Sequence, residues 1–149
     1  MEKMSLNEVK PKKIDGRLFA QEYLNKVLKP RCETFTEIYK KVPKLSTILV
    51  GENPASESYL KLKEKFFAKL CVESEVFRLP EETTEEELLA FINKQNHDNQ
   101  IDGILVQVPL PSHIDEDTIS ESIALSKDVE GLSPGNVHAW AKALPNLVP

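Results

Sequence analysis

Residues 45–70 read LSTILVGENPASESYLKLKEKFFAKL, and this stretch decides the fold class. Its first six residues form a β-rich, nearly continuous apolar run closed by Gly51, the pattern of a strand covered on both faces. Asn53 followed by Pro54 reads as an N-cap and first helical residue, so the spacing predicts a helix from there to about Leu70. Working outward, the same alternation recurs. A strand is expected at residues 75–79, and a helix opened by a capping box of Thr84 with Glu87. Next come a strand over GILVQV at 103–108 and a helix after Asp115 that carries Ile119 and Ile123. Upstream, Leu18, Phe19, Tyr23, Leu24, Val27 and Leu28 recur at helical spacing, and Pro30 is expected to end that pattern or bend it. Strands alternating with helices predict an α/β fold: a three-layer sandwich with a mostly parallel sheet, right-handed crossovers and helices on both faces. Ligands in such folds sit outside the carboxyl ends of the strands.

Composition removes several function classes. A chain of 149 residues suits one domain with its own core. The formal net charge of −5 lacks the basic footprint of phosphate-backbone binding, which argues against nucleic acid as a partner. No apolar run approaches the roughly 20 residues of a membrane-spanning helix. Cys32 and Cys71 lie in unrelated contexts and fit neither a disulfide framework nor a Cys-x-x-Cys redox or metal motif, so no metal site is expected. The opening MEKMSLNEVKPKK, residues 1–13, has no apolar core of a secretory signal and is expected to be disordered, with order from Ile14. These features point to a cytoplasmic chain.

The helix after Pro54 carries the first chemical signal. At about 100° per residue, with Tyr59 as origin, Leu62, Phe66, Leu70, Phe67 and Leu60 fall in one broad apolar sector. Lys61, Lys65, Lys69, Glu57 and Glu64 fall on the opposite, solvated side. Lys63, at roughly 40°, lies inside the apolar sector. A lysine so placed either snorkels its ammonium to water, the commoner outcome, or suffers desolvation that lowers its pKa and makes it a general base. Tyr59, one turn earlier on the same face, sets a flat ring beside that amine, a seat for a planar heterocycle as well as an ordinary core residue.

Gln107 is the second signal, an amide near the carboxyl end of an apolar strand where its polar atoms need partners. Such an amide orients a neighbouring amine without forcing it to stay protonated; satisfaction by loop backbone is the plainer alternative. Third is Lys127-Asp128-Val129-Glu130-Gly131, two alternating acids after a helix, a pattern more often merely solvated.

Four segments then resemble one family in order and spacing: VGENPASESYLKLK (residues 50–63), DGILVQVPLP (102–111), HIDED (113–117) and KDVEGLSPGNV (127–137). They are similar to the substrate-domain motifs of the bifunctional methylenetetrahydrofolate dehydrogenase/methenyltetrahydrofolate cyclohydrolase family. The resemblance covers residues 14–149 as a folate-binding catalytic domain, about half of a typical member. By position it implies that Tyr59 packs on the folate and that Lys63 is the general acid/base of the cyclohydrolase step. It further implies that Val106, Gln107, Val108 and Pro109 form the segment whose glutamine positions the lysine, and that Asp128 matches the first acid of a Lys-Asp-Val-Asp-Gly motif. The last acid of that motif grips the pterin ring, and Glu130 stands there, a departure that adds a methylene while keeping the charge and bidentate geometry.

The resemblance also implies tetrahydrofolate one-carbon derivatives as ligands, NADP or NAD as the cofactor of the full-length enzyme, and homodimers. It implies too that family members continue into a Rossmann-type domain after the proline matched by Pro149, and these 149 residues are expected to lack it. The five glycines, at 16, 51, 103, 131 and 135, supply no G-x-G-x-x-G phosphate turn, so this chain alone is expected to bind no dinucleotide. Two alternatives stand beside the enzyme: a non-catalytic folate-binding or regulatory relic, and the substrate domain of another two-domain dehydrogenase.

Overall fold

The computed structural model describes residues 15–145. The segment expected to be disordered, residues 1–13, and the chain's last four residues lie outside that range. The elements run α1 (Gly16–Tyr23), a π-helical turn (Leu24–Leu28), α2 (Lys29–Tyr39), β1 (Lys44–Val50), α3 (Pro54–Leu70), β2 (Glu73–Leu79), α4 (Glu85–His97), β3 (Gly103–Val106), α5 (Glu116–Ser122) and α6 (Pro134–Ala141). The three strands form a parallel sheet in the order β2-β1-β3, with Leu45 opposite both Ser74 and Gly103. The central β1 is buried from Leu45 to Val50, as its uninterrupted apolar run requires of a strand with a helix layer on either side.

Side-chain alternation assigns the two faces. Ile48, Val50, Ile104 and Val106 point to one side, where they join Leu88 and Ile92 of α4 and Ile119 of α5 in the main core. Ile48, Leu88 and Ile92 are fully buried, each burial stabilising the fold by about 1.5–3 kcal/mol. Leu45 and Leu105 point to the other side, toward Lys63 and Phe67 of α3. The architecture is therefore the three-layer α/β sandwich the sequence implies.

Local signals behave as their chemistry dictates. Thr84 accepts from the Glu87 amide at 3.2 Å while the Glu87 carboxylate accepts from the Thr84 amide at 2.9 Å, the full capping box. Asn53 caps α3 by accepting from the Ser56 amide at 3.3 Å, and Asp115 caps α5 through the Thr118 amide at 2.7 Å.

Three differences have physical causes. Pro30 does not end the first helical run, which continues to Tyr39. The turn before the proline widens to π geometry, with the Lys29 amide bonded to Leu24 O. This spreads the turn that receives a residue without an N–H. Along this arm Leu24 is buried, but Leu18, Phe19 and Tyr23 are exposed, so its helical periodicity does not mark a core face. Lastly, β3 stops at Val106, short of the expected 108. Gln107 N still reaches Ile48 O at 2.8 Å, and Pro109 beyond it has no N–H to extend the ladder. Among the described residues no helix is long and apolar enough to cross a membrane.

Candidate active site

Lys63 sits in the middle of α3 on the side facing the sheet, half-buried, while Lys65 on the opposite side is exposed. Its ammonium lies 4.3 Å from the centroid of the Tyr59 ring, one helical turn earlier. That is a cation–π contact available only because residues i and i+4 share a face. Burial pushes the Lys63 pKa down, and the negative charge of Glu130 partly opposes this. Both residues line a cavity of about 430 Å³, with Leu45 and Leu105 of the sheet and Phe67 of α3 as apolar walls. The cavity runs from Lys63 along the sheet face to Pro43 and Asp102, at the amino ends of β1 and β3. It is thus not confined to the carboxyl ends of the strands, where the fold class alone would put a ligand.

The loop after α5 delivers Glu130 to this cavity, and each residue of its motif has a separate task. Lys127 donates to Gln95 O at 3.0 Å and Asp98 O at 2.7 Å, tying the loop to the last carbonyls of α4, the end that favours a cation. Asp128 is buried, and its carboxylate accepts from Gly131 N at 3.0 Å, Ser133 N at 2.9 Å and Asn136 Nδ2 at 3.0 Å. Its burial would raise the pKa, but these donors outweigh that and hold it below the ordinary aspartate range. Asp128, which the resemblance implies is a substrate-binding residue, makes these side-chain hydrogen bonds within its own loop and the helix that follows. Val129 packs against Gly103: a Cβ on that glycine would overlap Val129 Cγ1 and come within 3.2 Å of Leu45 Cδ1. The Ile104 amide closes the arrangement with a 2.7 Å bond to Lys127 O. Glu130 itself, half-buried, makes no side-chain hydrogen bond among the described residues, so its carboxylate is available to a ligand.

The segment 106–109 divides by parity. The Val106 side chain belongs to the core shared with α4 and α5, on the far side of the sheet from Lys63. Gln107 has the parity of Leu105 and so falls on the α3 side. Its Nε2 donates to Val108 O at 2.9 Å, whereas Oε1 is buried without a partner among the described residues. No hydrogen bond joins Gln107 to Lys63. Val108 and Pro109 are exposed beyond the strand, and the Val108 carbonyl receives a long bond of 3.5 Å from Ser56 Oγ in the first turn of α3.

Sequence reasoning singled out Lys63, Tyr59, Gln107 and the 127–131 motif, but assigned no supporting role to Gly103, Val129, Lys127, Ser133 or Asn136. A glycine starting an apolar strand, and an Asn one turn into a helix after an acidic loop, are signals too common to have identified them.

Comparison with known proteins places this geometry. Residues 14–130 match the family model described as tetrahydrofolate dehydrogenase/cyclohydrolase, catalytic domain. The bifunctional protein FolD of Halothermothrix orenii is 46% identical over 123 residues, which make up 83% of this chain and 43% of that protein. A crystal structure of the bifunctional FolD methylenetetrahydrofolate dehydrogenase/cyclohydrolase from Campylobacter jejuni superposes with a TM-score of 0.85 at 42% identity, over 91% of this chain and 48% of that one. The Trypanosoma brucei enzyme, solved with NADP cofactor and an inhibitor, superposes with a TM-score of 0.78 at 33% identity, over 85% of this chain and 42% of that one. The chain spans less than half the length of these relatives. With a half-buried lysine and an acid lining one cavity, and with these matches in sequence and in space, the chain belongs to the tetrahydrofolate dehydrogenase/cyclohydrolase family, of which it carries the catalytic domain.

Proposed function

We propose that this chain binds 5,10-methenyltetrahydrofolate in the cavity between α3 and the sheet and hydrolyses it to 10-formyltetrahydrofolate, with Lys63 as the proton carrier. The observation that carries the reading is the half-buried Lys63 amine, its charge disfavoured by desolvation, on a cavity wall opposite the free carboxylate of Glu130. The pterin edge carries N–H donors in the geometry a carboxylate accepts in pairs, which Glu130 provides. The exposed Tyr59 ring offers a flat surface beside the reacting carbon.

Water adds to the cationic methenyl carbon, and its proton passes to the Lys63 amine. The bond from that carbon to the ring nitrogen N5 then breaks as the added hydroxyl gives up its remaining proton to solvent and becomes the formyl oxygen, N5 takes the first proton back from Lys63, and the formyl group remains on N10. Gln107 acts as a positioning residue, because its unpartnered Oε1 is an acceptor for the lysine N–H or for the attacking water.

For the oxidation of 5,10-methylenetetrahydrofolate, this chain supplies the folate side in our reading and a joined nucleotide domain supplies NADP or NAD. In this reading the chain alone takes up no dinucleotide, which is supported by the turn from β1 into α3 holding a single glycine, Gly51, and by Glu52, Glu81 and Glu82 standing at the carboxyl ends of β1 and β2, where Arg78 is already paired with Glu57 and Lys61 is the remaining cation of the lining. We therefore assign no hydride step to these residues.

The decisive comparison is Lys63→Met against Lys65→Met, with hydrolysis followed by loss of methenyl absorbance. Lys63→Met keeps the apolar stem and should leave the fold intact while reducing the rate at least 100-fold, the scale of general acid–base catalysis. Lys65→Met, on the solvated face, should change little. Equal losses in the two variants would defeat the assignment of Lys63.

A further inference from the structure

Two features favour the protonated form of Lys63. Its ammonium rests on the Tyr59 ring at 4.3 Å, and Glu130 lines the same cavity with a charge that partly offsets the larger downward push of burial on the lysine pKa. The other charged groups on this cavity are committed elsewhere. Lys44 Nζ is paired with Glu75 at 2.7 Å. Asp102 accepts from Lys41 Nζ at 2.7 Å and from the Lys44 amide at 2.9 Å. The two features that stabilise the cation are also the two surfaces that the proposed folate site offers, the tyrosine face for stacking and the carboxylate for a donor edge. A ligand that takes up both surfaces competes with the ammonium for them.

We propose that Glu130 and Tyr59 form a ligand-released clamp on the Lys63 proton: the empty site keeps the lysine as an unreactive ammonium, and a bound pterin displaces both supports and frees the amine as a base. This inference rests on the folate reading above. The step is a proton transfer alone: the Lys63 ammonium gives up one proton to solvent as the ring enters, and the lone pair left on Nζ is the base that receives the proton of the attacking water. Glu130 stays ionised throughout, its charge taken up by the pterin N–H donors in place of the ammonium. A cationic methenyl substrate adds like-charge repulsion in the same direction. The longer glutamate side chain, where the family motif has aspartate, extends the carboxylate one methylene further into the cavity.

The clamp predicts that ligand binding releases protons. Calorimetric titration of the full chain with tetrahydrofolate, which lacks the reacting carbon and is not turned over, is run near pH 8 in buffers of different ionisation enthalpy. The slope of observed heat against buffer enthalpy gives the protons released. The wild-type chain should release a measurable fraction of one proton, and Lys63→Met should bind while releasing none. A second arm needs no ligand: acetic anhydride labelling of Lys63 relative to Lys65, read by mass spectrometry. In Glu130→Gln the Lys63 amine should label roughly threefold faster or more at the same pH, since one charge holding it protonated is gone, and Glu130→Asp should fall between the two.

Binding without proton release, release that persists in Lys63→Met, or Lys63 labelling unchanged in Glu130→Gln would each overturn the clamp and leave the folate reading intact. Absence of any tetrahydrofolate binding by the wild-type chain would overturn the folate reading and the clamp together.

Discussion

Replacing Asp128 by alanine tests what positions Glu130, and the structure sets the magnitude. The Asp128 carboxylate accepts three hydrogen bonds, from two backbone amides and the Asn136 side chain, at 2.9–3.0 Å. Bonds to a charged acceptor contribute roughly 1.5 kcal/mol each, and the truncation leaves three donors with no acceptor where the side chain is 4% exposed. Against this, removing the carboxylate relieves its own desolvation, offsetting about 1 kcal/mol. A net loss of about 3–4 kcal/mol follows, which in a domain of this size lowers the melting temperature by on the order of 10 °C. Asp128→Asn keeps one acceptor oxygen and should lose about half as much.

Urea denaturation from pH 7 down to pH 3 is the assay. The folded state holds the Asp128 pKa below its unfolded value, so the stabilisation is fully present above the unfolded pKa, about 3.9. It is lost as pH falls through the lower, folded value. The gap between wild type and Asp128→Ala should therefore be widest at neutral pH and close at acid pH. A loss below about 1 kcal/mol at pH 7, or a gap that does not depend on pH, would show that this carboxylate does not hold the loop.

Three further outcomes are expected. Gly103→Ala drives a Cβ into Val129, so it should cost about 1–3 kcal/mol in denaturant unfolding and weaken folate binding; adding Val129→Ala should recover most of the stability. Gln107→Met removes a buried acceptor that has no partner among the described residues and one exposed bond to Val108 O, so stability should stay within about 1 kcal/mol of wild type while methenyltetrahydrofolate hydrolysis falls; a larger destabilisation would mean that Oε1 is paired in the folded chain. Calorimetric titration of this chain with NADP or NAD should give no saturable heat, and a micromolar dissociation constant would reveal a nucleotide site built without a glycine-rich turn.

Much of the fold could be read from local chemistry. The uninterrupted apolar run of β1, the Asn53-Pro54 start of α3, the Thr84–Glu87 box and the Asp115 cap act over a few residues, so their patterns survive in a linear chain and specify a parallel α/β sheet. Lys63 was legible for the same reason: helix periodicity fixes which face a side chain takes whatever packs against it. Tertiary structure decided what lies opposite. Sequence spacing cannot show that Val129 closes over Gly103, that Asp128 turns its charge into its own loop, or that Val106 faces away from the lysine. Those are contacts between segments joined through the sheet, set by strand order and register rather than by any local period. The proline at position 30 gives the converse case: its local rule predicted a stop or a bend, and one widened π turn let the helix continue. The site follows the same division, since residue type and helical phase picked out the lysine. Only the packing of the 127–133 loop against β3 brought Glu130 to the cavity that Lys63 lines, because which charges share a cavity is a property of the fold.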